Sequence, residues 1–175
     1  MSIHETEAEL WIRRFHPAPE KPIRLVCLPH AGGTASSFFR YSQVLAATAD
    51  VLTIQYPGRQ DRRHEPPLTT VSALVDRIHR ALAPYHDRPL FLFGHSMGGV
   101  LGFEVARRME REGRPPSGLI VSGRRAPDIY AADNVHTTAA PTTTTPTAAS
   151  SSTRPTSRTC SSAWTGSAGR RRCTW

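Results

Sequence analysis

Four short apolar runs stand out along the chain: Ile23 to Leu28, Val51 to Gln55, Leu90 to Phe93 and Leu119 to Ser122. Each is bounded by turn-forming residues and has the length of a strand rather than a helix. The first is almost continuously apolar, the pattern of a strand covered on both faces of its sheet. Between the runs the period changes to that of a helix. Phe38, Phe39, Tyr41, Val44 and Leu45 recur at helical spacing behind Ser36 or Ser37, either of which can cap. Val71, Leu74, Val75, Ile78 and Leu82 form one apolar stripe behind Thr69 or Thr70, and Leu101, Val105, Ala106 and Met109 form another after Ser96. Pro115-Pro116 breaks that last helix. Residues Met1 to Lys21 are polar around an aromatic-basic cluster, Trp11 to Phe15, and read as a lead-in or edge strand. Strand and helix alternating in this way predict an α/β fold: a mostly parallel sheet with right-handed crossovers, flanked by helices.

The pattern stops at His136. From Thr137 to Trp175 the chain holds only Thr, Ser, Ala, Pro, Arg, Gly, Cys and Trp, which cannot bury enough apolar surface to offset ordering entropy. Residues 1–136 are therefore expected to be the folded part, and residues 137–175 a low-complexity, disordered tail. The charge divides the same way. Of the formal net charge of +8, five tail arginines supply +5, so residues 1–136 carry only +3. The folded part has no basic-aromatic stripe, which argues against nucleic acid despite the high pI. Cys27 sits in an apolar run as a small core residue, and Cys160 and Cys173 lack metal-ligand spacing. An odd cysteine count without a leader or long apolar segment points to the cytoplasm and away from membranes. Lysine occurs once, at Lys21, beside twenty-one arginines, the skew of GC-rich coding.

Gly94-His95-Ser96-Met97-Gly98 lies between the third apolar run and its helix, and here the sequence names a chemistry. A G-x-S-x-G turn from strand to helix is a nucleophile elbow. Glycine at 94 and 98 lets strand and helix approach more closely than a Cβ allows, and the strained serine is lifted clear of the sheet. The Met97 amide, at the start of the helix, is then placed to stabilise an oxyanion.

Three motifs in order, Leu28-Pro29-His30-Ala31-Gly32-Gly33, Gln55-Tyr56-Pro57-Gly58-Arg59-Gln60-Asp61-Arg62 and Gly94-His95-Ser96-Met97-Gly98-Gly99, resemble the type II thioesterases of polyketide and nonribosomal peptide assembly lines, over about Trp11 to His136. The resemblance implies part of an α/β-hydrolase fold, with Ser96 as nucleophile and the amides of Ala31 and Met97 as the oxyanion hole. It implies a substrate acyl group carried on the phosphopantetheine of an acyl or peptidyl carrier protein, with no cofactor or metal of the enzyme's own, in a monomer. The triad of this fold runs Ser, Asp, His. The last acid here is Asp133 and the last histidine His136, so the Asp and His partners are expected to be missing and activity impaired. His95 adjoins the nucleophile without a base role in the family, and His30 shapes the oxyanion loop. A frameshift in a GC-rich gene would explain the switch after His136. Two further readings follow: a catalytically inactive module that docks acidic carrier proteins through Arg13, Arg14, Arg59, Arg62, Arg63, Arg107, Arg108, Arg111 and Arg114, and a non-functional product left with an uncovered sheet edge at Leu119 to Ser122.

Overall fold

The computed structural model describes residues 7–123, 162–164 and 173–174. A one-turn helix α1 (Glu7–Trp11) leads into a two-residue strand β1 (Ile12–Arg13), which pairs antiparallel with β3 (Asp50–Ile54) at one edge of the sheet. The lead-in thus ends in an edge strand, as its composition suggested. Next come β2 (Arg24–Leu28), a 3-10 turn (Ala35–Phe38) and α2 (Phe39–Leu45). After β3 the chain forms α3 (Val71–Leu82), β4 (Leu90–His95), α4 (Met97–Arg111) and β5 (Gly118–Ser122).

Strands β3, β2, β4 and β5 lie side by side in that order and all run parallel. The chain steps outward from β2 to β3, then returns across β2 to reach β4, so the strand order reverses between β2 and β4. In open α/β sheets the carboxyl ends of strands at such a reversal frame a ligand crevice.

Alternation along the strands sorts the side chains between two faces. Val26, Leu28, Leu52, Ile54, Leu90, Leu92 and Leu119 join the buried inner residues of α3 and α4 in the main core. Thr70 caps α3, its Oγ1 accepting the Ala73 N–H at 3.3 Å. The opposite face is thinner. Cys27, Val51 and Phe38 form a small second core, with Leu25, Leu45 and Phe93 only partly buried against it. The sheet is therefore covered on one face and only partly on the other. The helix predicted from Phe38 to Leu45 also differs from its pattern. Phe38 and Ser42 turn inward while Phe39, Tyr41 and Val44 are 46%, 63% and 77% exposed. Neither Ser36 nor Ser37 caps it, because a 3-10 turn precedes the α-helix and no side chain bonds to its first amides.

Two short pieces of the Thr/Ser/Ala/Arg tail fall among the described residues, as strands. Strand β6 (Ser162–Trp164) pairs antiparallel with β5, matching Ile120 with Ala163, and β7 (Cys173–Thr174) pairs with β6. Backbone pairing explains this: the free edge of β5 offers N–H and C=O groups that any extended segment can satisfy, whatever its side chains. The edge at Leu119 to Ser122 is accordingly covered. The rest of the tail lies outside the described residues. Among the described residues no helix is long and apolar enough to cross a membrane, and no group of three or more His, Cys, Asp or Glu is placed to hold a metal ion.

Candidate active site

The elbow and the glycine-rich loop leave adjacent strand ends. Leu28, the last residue of β2, is paired in register with Gly94 of β4. Ser96 has φ 53° and ψ −113°, a conformation that costs a non-glycine residue of order 1–3 kcal/mol and survives only where its surroundings impose it. They do so here. The Ser96 N–H donates to the Ser122 carbonyl at 2.8 Å, and the Ser96 carbonyl accepts from Gly99 at 3.0 Å. A Cβ on Gly94 would stand 2.1 Å from the Gly98 carbonyl oxygen, and one on Gly98 would stand 2.0 Å from the Leu28 carbonyl oxygen. Both contacts are with backbone, which cannot swing aside. The sequence therefore requires glycine at these two positions for the reason the motif suggested.

Ser96 is half-buried at this corner, and its Oγ has no hydrogen-bond partner among the described residues. The candidate oxyanion donors are similarly free. The amide of Met97 opens α4, while Ala31 is exposed in a tight turn closed by the Gly33 N–H donating to the His30 carbonyl at 2.9 Å. Neither amide makes a hydrogen bond among the described residues. Gly32 holds φ +81° beside Ala31, which only glycine adopts without strain.

The two histidines nearest the serine are occupied elsewhere. His95 projects from the elbow into solvent, with its Nδ1 3.2 Å from Ser122 Oγ. His30 packs edge-on against it, with ring centroids 5.9 Å apart. No hydrogen bond joins either ring to Ser96 among the described residues. Position 136 lies outside them.

The second motif supplies structure rather than chemistry, which the sequence pattern alone did not reveal. Gln55 is buried, its Oε1 accepting the Ala35 N–H at 2.8 Å while its Nε2 donates to the Arg59 carbonyl at 3.0 Å. Tyr56 donates its hydroxyl to the Pro29 carbonyl at 3.0 Å, and burial pushes that phenol's pKa upward. Arg62 is 6% exposed. It donates to the Gln55 carbonyl at 2.9 Å, lies 4.8 Å over the Trp11 ring and grips Glu65 through two 2.6 Å contacts. That grip holds the Glu65 carboxyl below its usual range. Together these bonds tie the loop carrying Ala31 to the loop after β3. Ser122, which positions both Ser96 and His95, was likewise unmarked in the sequence.

Residues 23–154 match the family described as Thioesterase domain, well over half of the chain. The chain belongs to the thioesterase family. Within that family it is 52% identical over 132 residues to the thioesterase PikA5 of Streptomyces venezuelae, covering 74% of this chain and 47% of the relative. It is 49% identical over 130 residues to a probable cadicidin biosynthesis thioesterase of Streptomyces griseus, covering 74% and 36%. The solved type II thioesterase BorB from the borrelidin biosynthetic cluster superimposes with a TM-score of 0.66 at 44% identity, covering 73% of this chain and 51% of that one. The chain spans about half the length of these thioesterases or less. The family match runs past His136 into the Thr-rich segment.

The arginines considered as a docking face differ in burial and pairing. Arg62 is buried, and Arg13, Arg14, Arg107 and Arg108 are paired with Asp61, Asp50, Glu104 and Asp76 respectively. Arg59, Arg63, Arg111 and Arg114 remain exposed, on separate loops and at the end of α4.

Proposed function

We propose that this chain carries the nucleophile and oxyanion hole of a type II thioesterase, which removes acyl groups from the phosphopantetheine arm of carrier proteins in polyketide or nonribosomal peptide assembly. Ser96 Oγ attacks the thioester carbonyl, and the amides of Met97 and Ala31 stabilise the tetrahedral oxyanion. Collapse expels the pantetheine thiolate and leaves an acyl-serine, which water then hydrolyses. The reading is supported most by the strained Ser96 backbone between two glycines that tolerate no Cβ. Its relatives' names fit this reading: PikA5 is a thioesterase, and the gramicidin S biosynthesis protein GrsT of Aneurinibacillus migulanus is 40% identical over 128 residues.

The proton of Ser96 needs a base, and neither His30 nor His95 is bonded to that oxygen. We therefore propose that this chain hydrolyses thioesters slowly, at least about 10⁴-fold below PikA5, because no histidine is bonded to Ser96 among the described residues. The test is turnover of an acyl thioester, both free and on a carrier protein, against PikA5 as reference. Residual hydrolysis that disappears in Ser96→Ala is the expected result. Hydrolysis unchanged in Ser96→Ala removes the serine from the mechanism, and wild-type turnover equal to that of PikA5 removes the impairment.

A further inference from the structure

At the opposite end of the sheet from Ser96, under the N-terminal ends of β4 and β5, lies a cleft of about 540 Å³, a volume suited to a small-molecule ligand. Its rim is stiff. Pro84, Pro89 and Pro115 fix the three segments that border it, so little ordering accompanies occupation. Its charge is unbalanced. Asp87 is already paired with Arg24 and with Arg88, and Glu112 nearby with Arg108 at 3.5 Å, with His79 Nε2 3.0 Å from its other oxygen. Arg114 has no such partner among the described residues, and it faces the cleft together with the half-buried His86 and with Ser117.

We propose that this cleft binds a phosphorylated small molecule, with Arg114 and His86 holding the phosphate and the proline-lined walls receiving the remainder. An arginine fork matches two phosphate oxygens, and a protonated imidazole adds a second charged donor. The surroundings of His86 disfavour that proton: burial, then the charge of Arg114, then His79 hold its pKa below its ordinary value, against a smaller opposing pull from Glu112. A phosphate between Arg114 and His86 reverses the second of these effects, so binding and protonation of His86 reinforce each other. Asp87 and Arg88 also line the cleft but balance one another.

The experiment follows the His86 ring resonances of the full chain by NMR through a pH titration, in inorganic phosphate, in adenosine monophosphate, and in chloride at matched ionic strength. Phosphate is expected to raise the His86 midpoint by about one unit, the shift that tenfold tighter binding to the protonated protein produces. Adenosine monophosphate is expected to do so at lower concentration if the walls take the body of the ligand. Arg114→Ala, in an exposed loop, should abolish both shifts and leave acyl-thioester hydrolysis unchanged; Arg114→Lys should restore part of them. An equal shift in chloride, or none in either phosphate compound, overturns the proposal. So does an undiminished shift in Arg114→Ala.

Discussion

Gly98 is where a single methyl group decides the corner. An alanine Cβ there meets the Leu28 carbonyl oxygen at 2.0 Å, and relief requires moving β2 or the first turn of α4. Gly98→Ala is expected to lose about 3 kcal/mol or more, or not to accumulate as folded protein, whereas Gly113→Ala, with nothing within 4 Å, loses only what its φ of +73° imposes. Thermal unfolding of the two variants separates crowding from backbone strain, and equal melting temperatures would contradict the contact. Asp50 makes a second residue-level prediction. Burial alone would raise its pKa, but Arg14, the Ala18 amide and Arg24 together bring it below the usual value of 3.8. Its folded pKa is thus depressed, so its contribution to stability is present above the unfolded pKa and is lost as the pH falls through the lower, folded one. Asp50→Asn should destabilise the fold by about 3 kcal/mol at neutral pH, because it removes the buried carboxylate that Arg14 and Arg24 share and leaves the buried Arg24 only Asp87 as a charge partner among the described residues, and should flatten the acid limb of a stability profile below pH 3.8. An acid limb unchanged in Asp50→Asn would exclude that role.

Among the elements, α3 and α2 show what periodicity can and cannot foretell. The α3 stripe buries Leu74, Val75, Ile78 and Leu82 as its spacing predicts, because that face packs into the main core. Thr70→Ala should cost about 1 kcal/mol in chemical denaturation, the usual worth of a cap, while Thr69→Ala should be silent. A Thr69 effect as large as that of Thr70 would mean that the helix starts one residue earlier. In α2 the same kind of spacing fails, since apolar residues on a helix are driven inward only by something to pack against, and that face of the sheet carries a small core. The strand positions were legible from apolar runs because each is short and bounded by turns. The elbow was legible because glycine flanking a serine has few other uses. Gln55, Tyr56 and Arg62 were visible as a motif but not as braces, since their partners include backbone groups of residues distant in sequence, Ala35, Pro29 and Leu10 among them. Ser122 acts mainly through its own carbonyl, and a carbonyl leaves no trace in residue identity.

Over the whole molecule, strand β6 comes from a segment whose composition is low in apolar residues. It contributes backbone bonds to β5 and thereby closes one open side of the sheet. Removing residues 162–175 should leave secondary structure in the rest of the sheet intact but expose Leu119 to Ser122, giving faster amide exchange in β5 and a rise in light scattering with concentration. Unchanged exchange in β5 would show that the pairing contributes nothing in solution.

The carbonyl of Leu28 touching Gly98 joins the first parallel strand to the first turn of α4 through unyielding backbone. The Ser96 oxygen and the Ala31 and Met97 amides proposed as its oxyanion donors therefore belong to one rigid block, which ends by residue 123. Such a block sets the direction of attack before any proton acceptor is in place, so aiming the serine and accepting its proton are separable by where along the polypeptide their parts are encoded. A base delivered on a second polypeptide would find its target already aimed.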